Sequence, residues 1–167
     1  MRRMAIFSLV MFTAVILQTA LFARLTVFRV APDLILVAVI SFALVDGAVA
    51  GATSGFAGGL LRDLLLDAPK GITALAYLLV GYLVGSIRPY VRSTSVFVPI
   101  TAIFLGSFAG SILYVVFSAL LGQAIDPMSR VTEVAGLTAL YNALLGPFVY
   151  PVVRRVATLY QRETVFW

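Results

Sequence analysis

The sequence predicts an all-α integral membrane protein, a single polytopic domain over residues 1–167 with about six transmembrane helices, the second of them short. Three observations predict it. Hydrophobic residues make up 62% of the chain and charged residues 11%, with a mean hydropathy of +1.07. A soluble domain carries about 25% charged residues, so there are too few polar side chains here to cover a water-facing surface. Apolar runs near the ~20 residues that cross a ~30 Å hydrocarbon core recur along the chain, separated by short charged or Pro/Gly turns. Finally, Gly47, Gly51, Gly55 and Gly59 recur every fourth residue, and Asp63 takes the next step. In water each interior glycine costs about 0.8–1.0 kcal/mol relative to alanine. In a bilayer, small residues on one helix face let two backbones approach closely.

Met4–Ala23 is the first span. Met1-Arg2-Arg3 before it resembles a signal peptide, but no small-x-small cleavage site follows, so the span is read as retained. After Arg24 and Arg29, Ala31-Pro32-Asp33 is a helix start: proline suits a first turn, and an acid suits the positive end of the dipole. Leu34–Val45 is short, since Ala31–Val45 reaches only about 22 Å at 1.5 Å per residue. It either thins the bilayer or forms a re-entrant hairpin with the next segment. Gly47–Leu66 carries the glycine ladder, and Asp67-Ala68-Pro69-Lys70-Gly71 is a turn. Ile72–Ile87 follows, ending at Arg88-Pro89 with Arg92 just beyond. Val96–Leu121 is the longest span, with Pro99 in its first turn and a second small-residue pair, Gly106 and Gly110, flanked by Ser107 and Ser111. Gly122–Arg130 is a loop. Val131–Val153 is the last span, interrupted by Gly146-Pro147 and Pro151, and residues 157–167 form a short cytoplasmic tail.

Placing the N-terminus in the cytoplasm puts Arg2, Arg3, Arg88, Arg92, Arg154, Arg155 and Arg162 on that side. The other side receives Arg24, Arg29, Arg62, Lys70 and Arg130, diluted by five acids. The positive-inside rule therefore favours cytoplasmic N- and C-termini. The net charge of +5 comes from eleven arginines and one lysine. In this setting it reads as a signal for topology and lipid head groups, with Arg88, Arg92, Arg154 and Arg155 as anchors, and not as a nucleic-acid surface.

Chemistry has little to work with. Cysteine and histidine are both absent, which removes disulfides, thiol nucleophiles, the commonest metal ligand and the commonest general base. No phosphate loop, zinc spacing or nucleophile elbow is present, so no metal, no cofactor and no enzymatic activity are expected. Asp63 is an intramembrane carboxylate and so draws attention. Its plainer readings are pairing with Arg62 or Lys70, or capping a neighbouring helix. Asp33 and Asn142 are expected to be structural polar residues, one at a helix start and one bonded inside the bundle. The glycine ladder has two readings, packing within the domain or docking of a foreign helix; Gly106 and Gly110 supply a second packing seam.

Several of these residues, taken in order, resemble the rod shape-determining MreD family of bacterial cell-wall elongation. They are Pro32-Asp33-Leu34, then Gly55-Phe56-x-x-Gly59-x-x-x-Asp63, then Gly71 and the run Tyr77-Leu78-Leu79-Val80-Gly81-Tyr82-Leu83-Val84-Gly85. The last span adds Tyr141-Asn142 and Pro147 before Arg154-Arg155. Arg62 departs from the pattern, an apolar residue being commoner there. The resemblance implies a non-enzymatic scaffold subunit of the bacterial inner membrane that binds an MreC-like single-span protein. Through it come MreB, RodA and the elongation penicillin-binding protein. It also implies a fold resembling the substrate-binding subunits of energy-coupling-factor transporters, and so raises an alternative, a small-molecule-binding subunit of a vitamin transporter. On the scaffold reading, the ladder meets the partner helix and Asp63 meets a polar or cationic group at its outer end. A homodimer is compatible with the sequence.

Overall fold

The structure, a computed structural model, describes residues 13, 14, 16, 18, 30–65, 71–90 and 97–161. Most of the expected first span, the turn at 66–70, Arg92 and the end of the tail lie outside the described residues. Five α-helices are described: α1 (Leu34–Asp46), α2 (Ala48–Leu65), α3 (Ile72–Ile87), α4 (Phe97–Leu120) and α5 (Met128–Gln161), with a 3₁₀ turn at Arg88–Tyr90.

α1 is the central post. It is apolar all round, which marks a helix surrounded by protein, and every residue from Leu34 to Ala43 is buried. Each of the other four helices packs against it. Ile35, Leu36, Val37 and Ile40 join Ala76, Tyr77 and Val80 of α3 and Ile103 of α4 in the main core. On the other side, Ala38, Val39 and Phe42 meet Val153 of α5. Successive helices alternate in direction. Gly51, Gly55 and Gly59 of α2 lie against Gly81, Tyr77 and Ala74 of α3, while Gly106 and Gly110 of α4 face Ile40 and Leu36 of α1. Only Gly47 separates α1 from α2. Its φ of 92° is open to glycine and strained for other residues, and its N–H closes on Ala43 O at 2.9 Å.

α2 and α3 are the most closely joined pair. A Cβ added at Gly51 or Gly55 would overlap the backbone carbonyl of Gly81 or Tyr77. One at Gly59 would sit 2.5 Å from Ala74 Cα, and one at Gly85 2.5 Å from Ala48 Cα. The ladder is filled by α3, backbone on backbone, leaving no room along it for a helix of another molecule. The Gly106–Gly110 face is likewise filled from within, by side chains of α1 and α3.

Two expectations need correction. The last helix starts at Met128, so the loop stops at Pro127. It then runs without interruption through Pro147 and Pro151 to Gln161, past the expected end at Val153. Each proline removes one bond to the residue four before it. Packing holds the helix across the gap: Gly146 abuts Ile103, and Val149 and Val153 pack into the core. Neighbouring helices allow such prolines in membrane spans. The helix therefore also takes in the first part of the expected tail. Phe97–Leu120 and Met128–Ala157 are long and apolar enough to cross a membrane.

Candidate functional site

Where α1 begins, the apolar interior is crossed by a layer of polar groups. Asp33 caps α1, its Oδ1 accepting from Leu36 N–H at 3.1 Å. Its Oδ2 lies 3.0 Å from Nη1 of Arg62 on α2 and accepts from the Tyr77 hydroxyl of α3. Arg62 Nη1 in turn donates to the Tyr77 oxygen. The backbone N–H of Asp33 donates to Asn142 Oδ1 of α5 at 2.7 Å, and Asn142 Nδ2 donates to Ser107 Oγ of α4 at 2.9 Å. From the first expected span, Gln18 brackets the same stretch: its amide donates to Pro32 O at 2.7 Å and accepts from Leu34 N–H at 2.8 Å. All five described helices and Gln18 are tied at one level. Buried polar groups are tolerated only when their partners are present, and here they are supplied by one another.

Asp63 is fully buried and does something else. α3 begins at Gly71, which has a left-handed φ of 102° and no side chain to cap its own helix. Asp63 reaches across from α2, its Oδ2 accepting from Gly71 N–H at 2.9 Å, Thr73 N–H at 3.1 Å and Ala74 N–H at 3.3 Å. This places a carboxylate on the first, otherwise unpaired donors at the positive end of the helix dipole. Its Oδ1 has no hydrogen-bond partner among the described residues.

Of the plainer readings of Asp63, capping a neighbouring helix is the one observed, and pairing with Arg62 is not. Neighbours on a helix point about 100° apart, so Arg62 turns to Asp33 while Asp63 turns to α3. With the ladder filled and Asp63 spent as a cap, neither is presented to a partner. Arg88, Arg154 and Arg155 are exposed at the other end of the bundle, Arg88 beside the Gly47 turn. The bridging role of Tyr77 and the clamp by Gln18 were not read from the sequence. The available signals are Gln18, the strongly polar side chain of the first apolar run, and the Tyr77 hydroxyl within Ile72–Ile87.

Beside the polar layer is a cavity of about 500 Å³. It exists because the helices differ in length. α4 continues from Ser107 to Leu120, about 20 Å, whereas α3 starts only about 8 Å before Tyr77. The α4–α5 hairpin overreaches the other three helices. Asp33, Arg62 and Tyr77 line the cavity at one end, Tyr114 and Val134 along the hairpin, and Asp126 and Arg130 near its tip. Among the described residues, no group of acids is placed to hold a metal ion.

The family model for the rod shape-determining protein MreD matches residues 1–160. The chain belongs to the MreD family. That family is part of the MreBCD shape-determining system, a structural membrane component and not an enzyme family. No curated protein and no solved structure matches the chain significantly. The match covers nearly the whole chain, and nothing in the comparisons speaks for the vitamin-transporter alternative.

Proposed function

We propose that this MreD-family chain is a non-enzymatic, multi-pass scaffold of the inner membrane, with both termini cytoplasmic, that holds an MreC-like single-span protein within the wall-elongation assembly. Through that partner it connects to MreB, RodA and the elongation penicillin-binding protein. On this reading Met4–Ala23 is the first of six spans, in an arrangement like that of energy-coupling-factor substrate subunits. Arg88, Arg154 and Arg155, with Arg92, lie at the cytoplasmic surface against anionic lipid. The observation that supports the scaffold reading is the polar layer: hydrogen bonds among Asp33, Arg62 Nη1, Tyr77, Asn142 and Ser107 tie five helices together. A rigid frame with apolar outer faces is what a single-span partner needs to pack against. Since the ladder is filled by α3, the partner meets an outward face, such as that of α2 at Val49 and Phe56, which are 76% and 49% exposed.

The chain has no cysteine, so single cysteines at Val49, Phe56, Leu105 and Phe108 can be cross-linked in membranes without background. The expected result is a cross-link to an MreC-like protein from one face and not the other, with wall-synthesis proteins recovered alongside. A tagged pull-down that brings none of these, from a well-folded protein, would overturn the reading. The mass of the purified complex reads whether a second copy is present.

A further inference from the structure

The cavity is donor-rich, and we infer that it binds the phosphate of a phosphate-headed amphiphile. The polar layer uses Arg62 at Nη1 only; its Nε and Nη2 donors make no hydrogen bond among the described residues, and its side chain, 30% exposed, forms part of the cavity wall. Thr73 and Tyr114 line the same space, and their hydroxyls have no hydrogen-bond partner among the described residues. Arg130 adds a second guanidinium nearer the tip of the hairpin. The acceptors are largely spent: both carboxylate oxygens of Asp33 and the amide oxygen of Gln18 already receive bonds. Asp126 is the one carboxylate of the lining without such a bond, and it is exposed, where solvent screens it.

The charges permit an anion. Asp33 and Asp63 each sit on a helix N-terminus, which offsets part of their charge, and Arg62 and Arg130 are both cationic. Arg62, Thr73 and Tyr114 suit an oxyanion with several acceptor oxygens, while Arg130, twelve residues and about 18 Å before Asn142 along α5, adds positive charge toward the cavity's other end. The remaining wall is apolar, including Leu36, Val115, Val131 and Ala135, and the last three belong to the two helices long and apolar enough to cross a membrane. Such a wall suits the apolar stem of an amphiphile more than a free ion. A volume of about 500 Å³ lies within the ~300–1,000 Å³ of small-ligand sites.

The test uses the full chain in a neutral maltoside detergent, reading its thermal midpoint against added dihexanoyl phosphatidic acid, dihexanoylglycerol or sodium phosphate. A ligand that binds only the folded state raises the midpoint saturably. The expected result is a saturable rise with the phosphatidic acid and none with the diacylglycerol. An equal rise with sodium phosphate would support the phosphate site while assigning it to the free ion. Tyr114→Phe should weaken the effect by roughly ten- to hundred-fold in apparent affinity, the weight of a hydrogen bond to a charged group, and Arg130→Gln by less, since Arg130 acts from the cavity's other end. Both spare the polar layer, so their unliganded midpoints should stay near that of the parent chain. No shift with either phosphate probe, an equal shift with the diacylglycerol, or unchanged affinity in both variants would overturn the site. None of these readouts involves the protein partner, so the scaffold reading stands or falls separately.

Discussion

The chain uses the same four-residue spacing of glycines in two seams that differ in what lies opposite. Along α2 and α3 the opposing surface is backbone: an added Cβ at Gly51 or Gly55 overlaps a carbonyl, and at Gly59 it falls 2.5 Å from Ala74 Cα. Along α4 the opposing surface is the tips of side chains. A Cβ at Gly106 would come within 2.8 Å of Ile40 Cδ1, and one at Gly110 within 3.1 Å of Leu36 Cδ2. A side-chain tip can move aside by changing rotamer, whereas a helix backbone can retreat only by moving the helix. The sequence pattern is shared, but only the α2–α3 seam fixes an interhelical distance. In a membrane, where burial of apolar surface does little to hold helices together, such a contact is a main source of specificity.

The sharpest way to break the α2–α3 seam is Gly55→Ala. One methyl group forces α2 and α3 apart and with them every glycine contact on either side. Overpacking costs typically about 1–3 kcal/mol, and here it should reach or exceed the upper end because the obstacle is backbone. The expected outcome is loss of most monodisperse protein in detergent, or a strongly lowered thermal midpoint. Parent-like stability in Gly55→Ala would mean the seam is looser than its geometry states.

Next in size is Arg62→Leu, which tests whether the polar layer or the seam holds this end of the helices. Removing one member of a buried pair costs about 3–5 kcal/mol when the other is left alone. Asp33 would keep the Tyr77 hydroxyl and the Leu36 N–H, so a loss of about 2 kcal/mol is expected. Combining it with Tyr77→Phe should cost less than the sum of the two, because both act on one carboxylate oxygen; coupling in such networks is about 0.5–3 kcal/mol. Strict additivity in a thermal or denaturant double-mutant cycle would show that these groups do not act as a unit.

The helices were legible in the sequence and the polar cross-links much less so. Ile72–Ile87 matches its expected bounds, and α1, α2 and α4 fall within a residue or so of theirs, since apolar runs and Pro/Gly turns act locally. Pro147 and Pro151 predict an end near Val153 because proline breaks isolated helices, but packing around Gly146 and Val153 carries α5 on. Asp33, Asp63 and Asn142 were visible as polar residues in apolar company. Their partners were not, because Asp33 meets Asn142 across 109 positions and Tyr77 across 44, distances over which no periodicity reports. For Asp63 the sequence offers capping of a neighbouring helix beside pairing with Arg62 or Lys70, and the cap is what forms, because Arg62, adjacent on the helix, faces another way.

Gly110→Ala gives the smallest effect and so the cleanest contrast with Gly55→Ala. The new methyl would meet Leu36 Cδ2 at 3.1 Å and Val80 Cγ2 at 3.5 Å, both ends of side chains. A shift of a few tenths of an ångström by Leu36 is enough to seat it. Alanine also favours the helix over glycine by about 0.8–1.0 kcal/mol in water, which offsets the crowding. The expected thermal midpoint is therefore close to that of the parent chain. If Gly110→Ala proved as damaging as Gly55→Ala, side-chain and backbone seams would be equally unyielding. The constraint would then lie in α1, a helix packed by neighbours on every side, with Leu36 unable to use even the cavity it borders.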